Sequence, residues 1–379
     1  MDFSLNDEQT AVADLARRIL GELCTAEHLT HVEAGSEWFD RSTWQALATA
    51  DLLGLTLPES VGGGGYGFFE TCLLLREAGR AVAPIPLWST LIGARTIAEF
   101  GSEDQRQRVL PGVAAGETVI AVALTEAGAP DRLPLVFASW QSGQWSLSGV
   151  ATTVGAAHVA QHVLVPARTA DDEVRLLLGP TDSPGITIER QDTFNHEPQF
   201  RVTFDEVRIS GDAALDTCGE GEAALQWVLD RATVGLCAVA AGIADAAMRL
   251  TAAYVSERKQ FDRAIGTFQA VGQRMADCYV DAGAIELTMF AAASALDTAG
   301  IDETIDPTVV PVAKYWASYG GSRVAHAGLH LHGGISIDLD YPIHRYFLSA
   351  KHLEFQLGVG TEQLAHIGAT LANVPIDIR

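Results

Sequence analysis

The chain has few basic residues for its size. Its 379 residues include 25 lysines and arginines against 48 aspartates and glutamates, which gives a formal net charge of -23. A surface with this charge repels phosphate backbones and anionic lipid headgroups. Nucleic-acid binding is therefore not expected, and an anionic ligand would need local cationic sites.

Cysteines are also scarce. Cys24, Cys72, Cys218, Cys237 and Cys278 are odd in number, widely spaced and never part of a Cys-x-x-Cys pair. This pattern indicates neither a disulfide framework nor a zinc site. Reduced thiols in a cytosolic protein are the expected state.

A targeting leader and long apolar runs are missing as well. The first eight residues have no basic region leading into an apolar run, and no segment reaches the roughly 20 apolar residues that a spanning helix needs. Hydrophobic residues make up 48% of the chain and charged residues 19%. These proportions predict a folded protein with a large core, soluble and cytoplasmic.

Hydrophobic periodicity changes twice along the chain. Residues 6–117 repeat apolar side chains at intervals of three and four, which predicts helices. Residues 118–212 contain short β-rich runs separated by Gly, Pro and Asp, which predicts a sheet. The runs are Val119–Leu124, Trp145–Ser148, His162–Pro166, Val174–Leu178, Ile186–Glu189 and Phe200–Val207.

From Gly221 onward the sequence is Ala-rich and again helical. One long helix is predicted from about Glu222 to Gln260, followed by a break at Asp262–Gly266 and further helices to about Asn373. Helices, then strands, then helices indicate an α+β fold rather than a doubly wound sheet. The predicted domains are a helical domain at 1–117, a β domain of hairpins or a small barrel at 118–213 and a helical domain at 214–379.

A glycine-rich run, Leu57–Gly67, superficially resembles a phosphate-binding loop. It lacks the Lys-Ser/Thr of a P-loop, and no strand clearly leads into it. A flexible turn between helices is the preferred interpretation.

Arg258, Phe261, Phe268 and Gln269 surround the predicted break after the long helix. A guanidinium offers a planar fork of donors for a pyrophosphate or carboxylate, and a helix start near Gln269 exposes backbone N–H groups. The spacing alone is equally consistent with a buried arginine and glutamine that tie two helices together. Both interpretations stay open on these residues.

Histidines cluster in the last third of the chain. His326, His330 and His332 precede Gly333 and Gly334, and the four-residue spacing of the first two would place them on one helix face. No carboxylate or thiol completes a metal site. A metal is therefore not expected.

The stretch from Tyr254 to Asp277, with the pattern Tyr-x-x-x-Arg-x-Gln-Phe, then Ile-x-x-Phe-Gln-x-Val and Ala-Asp, resembles the flavin-contacting signature of the acyl-CoA dehydrogenase family. The resemblance implies that Arg258, Phe261, Phe268 and Gln269 reach across a subunit interface to the FAD of a neighbour.

The histidine cluster is similar to the family's Gln-x-x-Gly-Gly motif. This implies that His330, Gly333 and Gly334 approach the adenosine diphosphate part of FAD, with His330 where glutamine is usual. The layout matches the family over essentially the full length. It implies an N-terminal helical domain, a middle β-barrel or sandwich and a C-terminal four-helix bundle.

The base expected from the resemblance is absent. The family's Tyr-Glu-Gly-Thr-x-Gln segment aligns with Gly358–Gln363, which places Val359 at the glutamate position, where it cannot accept a proton. Glu362 is expected to be a solvated surface carboxylate. Asp230 occupies roughly the alternative base position on the long helix, although a first-turn acid or a partner for Arg231 is the preferred interpretation.

The flavin bed also departs from the family. The Thr-Glu-Pro-x-Ala-Gly-Ser-Asp segment is shortened at Leu124–Asp131, and the Lys-Trp-Ile-Thr segment that covers the ring is replaced by Ala151–Val154. The resemblance therefore implies that this chain retains residues for a neighbour's FAD but lacks a complete site of its own.

The preferred hypothesis is the base-less subunit of a heterotetramer, similar to the actinobacterial steroid side-chain acyl-CoA dehydrogenases. Its partner would be a homologous catalytic subunit, its substrate a cholesterol side-chain CoA thioester and its electron acceptor an electron-transferring flavoprotein. Two alternatives remain: a homomeric acyl-CoA dehydrogenase that uses Asp230, and a flavin-free scaffold or regulatory subunit.

Overall fold

The computed structural model describes residues 3–124, 134–215, 219–300 and 305–372, and confirms the order of helices, strands and helices. The helices before the sheet are α1 Asp7–Leu23, α2 Ala26–Glu33, α3 Arg41–Thr49, α4 Phe68–Arg80, α5 Leu87–Phe100 and α6 Glu103–Ala114. The strands are β1 Ile120–Val122, β2 Val136–Gln141, β3 Gln144–Gly155, β4 His162–Arg168, β5 Val174–Pro180, β6 Ile186–Gln191 and β7 Gln199–Ser210. There follow α7 Gly221–Glu257, β8 Lys259–Gln260, β9 Arg263–Ala264, α8 Gln269–Thr298, α9 Val309–Tyr315, α10 Gly321–His332, α11 Ile343–Phe355 and α12 Gly360–Ala372.

The chain forms two compact units that are each built from separate stretches. One unit comprises Met1–Gly35, Phe68–Ala83 and Thr233–Arg379, and the other Ser36–Gly67 and Pro84–Ala232. The first unit is helical, and the second contains the sheet with α3, α5 and α6. The three domain boundaries drawn from the sequence stay a prediction.

The N-terminal helices begin at polar caps that the sequence encodes. Asn6 and Gln9 form a capping box at the start of α1, and Ser102 and Gln105 do the same for α6. Each box satisfies two backbone N–H groups that the first helical turn would otherwise leave unpaired.

The glycine-rich run is a tight turn, as predicted. A Cβ on Gly63 would lie 2.1 Å from the carbonyl oxygen of Leu57, so only glycine lets the turn fold back on its own backbone.

The middle of the chain is a seven-stranded sheet of order β1-β4-β2-β3-β7-β6, with β5 paired to β4. All six predicted strand runs lie in it. The sheet is mixed, because β1 and β2 run parallel to β4 while the remaining pairs are antiparallel. Sequence patterning missed β2, because the exposed residues of this strand include Phe137 and Trp140 and so break the apolar–polar alternation.

In the helical unit, α7 packs closely against α4 at two glycines. A Cβ on Gly79 would lie 2.1 Å from the carbonyl oxygen of Val239, and one on Gly242 would lie 1.9 Å from that of Arg76. The two helices therefore approach at positions where no larger residue fits.

Two helices are long and apolar enough to cross a membrane by length and composition, so the expectation that no segment reaches this length is wrong. They are α7 and α8, with mean hydropathies of 1.5 and 1.2 over their most apolar windows. Core helices pass the same test, and 67% of the α7 window is buried within the protein. The finding is weak evidence for a membrane span.

Candidate functional site

The predicted break after α7 is a two-residue hairpin. β8 pairs antiparallel with β9, and the turn residues Phe261 and Asp262 have φ values of 52° and 65°. Two successive left-handed residues are the geometry of a type I′ turn. The hairpin ends α7 at Glu257 instead of the predicted Gln260, and it leaves the Phe261 side chain 87% exposed.

Arg258 lies beside this hairpin with its side chain exposed to solvent. It forms no ion pair with any residue in the described ranges. Gln269 is likewise exposed. The interpretation of these two side chains as buried helix ties is therefore wrong, and both are open to a ligand.

The start of α8 adds backbone donors. Phe268 occupies the N-cap position, and no side chain caps the first turn. Uncapped N–H groups and the positive end of the helix dipole together favour an anion at such a terminus. The ring of Phe268 is fixed between Phe261, 6.2 Å away edge to face, and the Arg263 guanidinium 4.1 Å above it.

The end of α10 carries the second predicted segment. His330 is exposed, and Gly333 has φ 65° and ψ -140°, a conformation that only glycine adopts readily. A Cβ built on Gly333 or Gly334 would meet no atom within 4 Å. The backbone at these glycines is therefore open to close approach.

Two residue pairs join the segments around Arg258 and His330. The ring of Tyr254 stacks on that of His332 at 4.4 Å, and its hydroxyl donates to the His332 carbonyl at 3.3 Å. Arg274 Nη2 lies 3.4 Å from His330 Nδ1. Because a guanidinium only donates, Nδ1 must accept, which leaves the His330 Nε2–H as an outward donor.

Sequence reasoning did not assign a site role to Tyr254, Arg274 or Tyr341. Tyr341 completes the stack, with its ring 5.2 Å from that of His332. Tyr254 and Arg274 lie inside the recognised stretch, but their contacts to α10 join residues more than 50 positions apart, which no local pattern reveals.

His332 is the buried member of the histidine cluster. It is 3% exposed, its Nδ1–H donates to the Gly328 carbonyl at 2.8 Å, and its Nε2 has no hydrogen-bond partner among the described residues. Burial lowers its pKa from the ordinary value. Burial in the aromatic stack therefore favours the neutral form of the His332 ring. His326 lies against the Phe347 ring, and its Nδ1 is 2.8 Å from the Ser322 carbonyl oxygen.

The segment aligned with the family's catalytic glutamate is an irregular turn before α12. Leu357 and Gly358 have φ values of 53° and 96°, and Val359 follows, half-buried. Glu362 is exposed, as predicted, and its carboxylate accepts the Val359 N–H at 3.2 Å. That carboxylate therefore caps α12.

A buried lysine fixes the chain just ahead of this turn. Lys314 is 1% exposed, and its ammonium donates to the Leu353 carbonyl at 2.6 Å and to Ser318 Oγ at 3.1 Å. Ser318 belongs to a short π-helical stretch between α9 and α10. A cation at the last carbonyls of α11 stabilises that helix end.

Asp230 lies well inside α7, nine residues after its first residue Gly221, so the first-turn interpretation is wrong. It is half-buried, and its carboxylate accepts a hydrogen bond of 2.7 Å from Gln226. Arg231 is buried with its guanidinium 3.7 Å above the Trp227 ring.

The two altered flavin-bed segments differ in what the structure describes. Ala151–Val154 lies in β3, where the pairing with β7 is irregular between Ala151 and Val154, and it contains no aromatic residue. Of Leu124–Asp131, residues 125–131 lie outside the described residues. Arg345 has a structural role, since it is buried and donates to the Glu33 carboxylate at 2.7 and 2.9 Å.

The order of helices, a mixed sheet and further helices is the fold of the acyl-CoA dehydrogenases. Residues 6–117 match the family model of the acyl-CoA dehydrogenase N-terminal domain, and residues 219–372 match that of the C-terminal domain. This chain belongs to the acyl-CoA dehydrogenase family.

Three relatives illustrate the similarity within the family. Acyl-CoA dehydrogenase FadE27 of Mycobacterium tuberculosis is 35% identical, over 99% of this chain and 100% of the relative. The solved Tcur3481-Tcur3483 steroid ACAD variant is 41% identical with a TM-score of 0.90, over 97% of this chain and 99% of that one. A chain of the solved ChsE4-ChsE5 complex from Mycobacterium tuberculosis is 33% identical with a TM-score of 0.92, over 99% of this chain and 100% of that one.

Proposed function

We propose that this chain is the base-less subunit of a heteromeric FAD-dependent acyl-CoA dehydrogenase. The observation that carries the proposal is a division within the chain. An open set of cationic and amide donors is retained around Arg258 and His330, while Val359 stands where the family's proton acceptor belongs.

The residues around the hairpin fit the pyrophosphate and adenosine of FAD. Arg258 supplies an exposed guanidinium that forms no ion pair within the described residues, Gln269 an exposed amide, and the start of α8 uncapped N–H groups. His330 supplies an Nε2–H donor, and the turn at Gly333 lets an approaching group reach the backbone. These are the donors that a dianionic pyrophosphate with an attached ribose requires.

Bound FAD supplies the hydride acceptor for α,β-dehydrogenation of an acyl-CoA thioester. This chain's part is to bind and orient: Arg258 neutralises phosphate charge, and the exposed Phe261 ring offers an apolar surface beside it. Abstraction of the α proton needs a carboxylate at the base position, where this chain has Val359, and the nearby Glu362 carboxylate is bonded to the Val359 N–H. In this proposal the base comes from the homologous partner, and Asp230 is the alternative.

The substrate proposed is a steroid side-chain CoA thioester, with cholesterol as the parent steroid. Support comes from the two solved relatives, one named a steroid ACAD and the other a complex of two differently named chains. A cytoplasmic location and an electron-transferring flavoprotein as acceptor belong to the same proposal, by resemblance to the family.

The test is expression of this chain alone and together with its neighbouring homologous gene. Flavin per chain, particle mass and bleaching by acyl-CoA are measured for each preparation. We expect flavin and bleaching only in the mixed complex. Full flavin occupancy and turnover in the lone chain would refute the heteromer, and Asp230→Asn would then show whether that carboxylate is the base.

A single substitution tests the cofactor assignment. Arg258→Gln removes one charge-assisted hydrogen bond worth about 1.5–3 kcal/mol, so FAD retention in the complex should weaken roughly 10- to 150-fold. The matched control is Arg249→Gln, an exposed arginine of the same helix whose guanidinium pairs with Asp245. Equal FAD dissociation constants for both variants would contradict the assignment. A complex without any flavin would instead support a scaffold role.

A further inference from the structure

A cavity of about 280 Å³ lies within the helical unit, between α1, α2, the end of α4 and α11. Apolar side chains and arginines share its wall, among them Leu20, Leu29, Val82, Arg17, Arg80 and Arg345. The residues assigned to FAD lie in the described ranges, and none of them lines this cavity. The cavity is therefore a separate space with an apolar part and a cationic part.

Hydrogen bonds between the helices hold the cavity wall in place. Arg17 of α1 donates to Glu77 of α4 at 3.0 and 3.1 Å. The Tyr346 hydroxyl of α11 donates to the Arg80 carbonyl at 3.2 Å, and the Arg345 pair described above joins α11 to α2. Each of the four helices is therefore bonded to a neighbour, and such a preformed cavity needs little ordering to take up a ligand.

Cationic groups outnumber anionic ones in this wall, although acidic residues outnumber basic ones in the chain as a whole. Three of the described residues that line the cavity are arginines, and one, Glu77, is acidic. The Glu77 side chain is fully buried, and its carboxylate already accepts hydrogen bonds from Arg17 and Arg80. The wall is therefore a local cationic site of the kind that an anionic ligand needs in a chain of this charge.

Two guanidinium nitrogens of the wall have no acceptor among the described residues. Arg345 is 5% exposed, and its Nη1 is buried with no hydrogen-bond partner in the described part of the chain. Arg80 donates from Nε to Glu77 at 2.9 Å and from Nη1 to Asp245, while its Nη2 bonds to no described residue. Burial raises the pKa of Tyr346, and the charges of both arginines act in the opposite direction, so both guanidiniums lie near that hydroxyl. A buried donor normally has a partner, so the Arg345 nitrogen in particular is suited to an acceptor that enters the cavity.

We propose that this cavity binds a short aliphatic carboxylate, which accepts hydrogen bonds from Arg345 and Arg80 and lays its hydrocarbon chain against the apolar wall. A carboxylate has two oxygens, and each guanidinium can donate to one of them. A monoanion fits better than a phosphate dianion, because the buried Glu77 carboxylate opposes a second negative charge. At about 30 Å³ for each water-sized group, the volume holds roughly nine such groups, which corresponds to a carboxylate of about six carbons. The site is independent of the proposed function, since it needs neither FAD nor a partner subunit.

The experiment is a calorimetric titration of the full-length chain with sodium hexanoate. At an ionic strength of about 0.15 M the Debye length is about 8 Å, so charges remote from the cavity are largely screened. We expect one site per chain with a dissociation constant in the millimolar range or below. Hexanamide, which has a similar shape without the charge, and inorganic phosphate should each bind at least about tenfold more weakly.

Gly21 offers a way to close the cavity. It lines the cavity, and a Cβ built on it meets no atom within 4 Å. Gly21→Trp should therefore fill the space and abolish hexanoate binding. Gly21→Ala, which adds only a methyl group, is the matched control and should retain it.

The donors are tested by a second pair of variants. Arg345→Lys keeps the charge but loses the planar fork of donors, so the dissociation constant for hexanoate should rise about tenfold or more. Arg18→Gln, an exposed arginine of α1 outside the cavity wall, is its control and should leave that constant unchanged. Urea unfolding of each variant checks that its fold is intact, and if Arg345→Lys does not fold, the two Gly21 variants still decide the question.

Three results would overturn the proposal. If the wild-type chain does not bind hexanoate at millimolar concentration, the cavity holds water only. If wild type and Gly21→Trp bind hexanoate equally, the ligand occupies another site, such as the one for the acyl-CoA. If hexanamide or phosphate binds as tightly as hexanoate, the wall does not select a carboxylate with an apolar chain.

Discussion

His332→Phe is predicted to make the helical unit less sensitive to acid. The native imidazole is enclosed between Tyr254 and Tyr341, is 3% exposed, and has a pKa lowered by burial from its ordinary value of 6.5. A group with a depressed native pKa contributes stability that is fully present above the unfolded value and is lost as pH falls. The loss of stability therefore begins near pH 6.5 and grows as the pH falls further.

The magnitude follows from proton binding by the unfolded chain. If the native ring stays neutral, protonation of the unfolded histidine at pH 5.5 costs about 1.4 kcal/mol of unfolding free energy, and almost nothing at pH 7.5. Phenylalanine keeps the stack on Tyr254 and cannot titrate. The substitution also removes the unpaired Nε2, whose burial costs the native state about 1–3 kcal/mol. This gain is offset by loss of the Nδ1–H bond to the Gly328 carbonyl, which is worth about 1 kcal/mol.

The assay is urea unfolding of wild type and His332→Phe at pH 7.5 and 5.5. The difference between the two pH values cancels the titration of all shared groups, since only residue 332 differs. We expect the variant to lose up to about 1.4 kcal/mol less than wild type on acidification. His326→Phe, an exposed histidine on the same helix, controls for the loss of one imidazole. Equal losses in wild type and His332→Phe would refute the reasoning.

Three further predictions concern packing and burial. Gly242→Ala places a Cβ 1.9 Å from a backbone carbonyl oxygen of α4 and should lower the free energy of unfolding by about 1–3 kcal/mol, measured by urea titration. Gly21→Ala places a Cβ with no atom within 4 Å and should raise the free energy of unfolding by about 0.5–1 kcal/mol in the same titration. Lys314→Met leaves the Leu353 carbonyl without its cationic donor, so amide hydrogen exchange at 353–360 should become faster. Unchanged exchange would show that the Lys314 hydrogen bonds do not hold this segment in place. Burial raises the pKa of the Cys237 thiol to about 12, so iodoacetamide at pH 8 should leave it unmodified in the native protein and alkylate it only after unfolding.

The elements that the sequence predicted well are those with a strong local signal. The six strand runs and the helices on either side of them follow from periodicity, which depends on residues only a few positions apart. The capping boxes at Asn6 and Ser102 that the structure shows are equally local. Strand β2 and the hairpin at Phe261 were missed because neither has an apolar alternation. Two left-handed residues without glycine or asparagine also give no recognisable turn signature.

The sequence alone determined three features, because each depends only on residue type and spacing. They are the order of elements, the family signature from Tyr254 to Asp277 and the valine at position 359. The tertiary structure decided what lies together and what lies open. It joined Arg274 to His330 and Tyr254 to His332, gave Arg345 a structural partner in Glu33, and left Arg258 and Gln269 exposed. These outcomes depend on contacts between residues far apart in the chain, and a local pattern does not specify which of those residues meet.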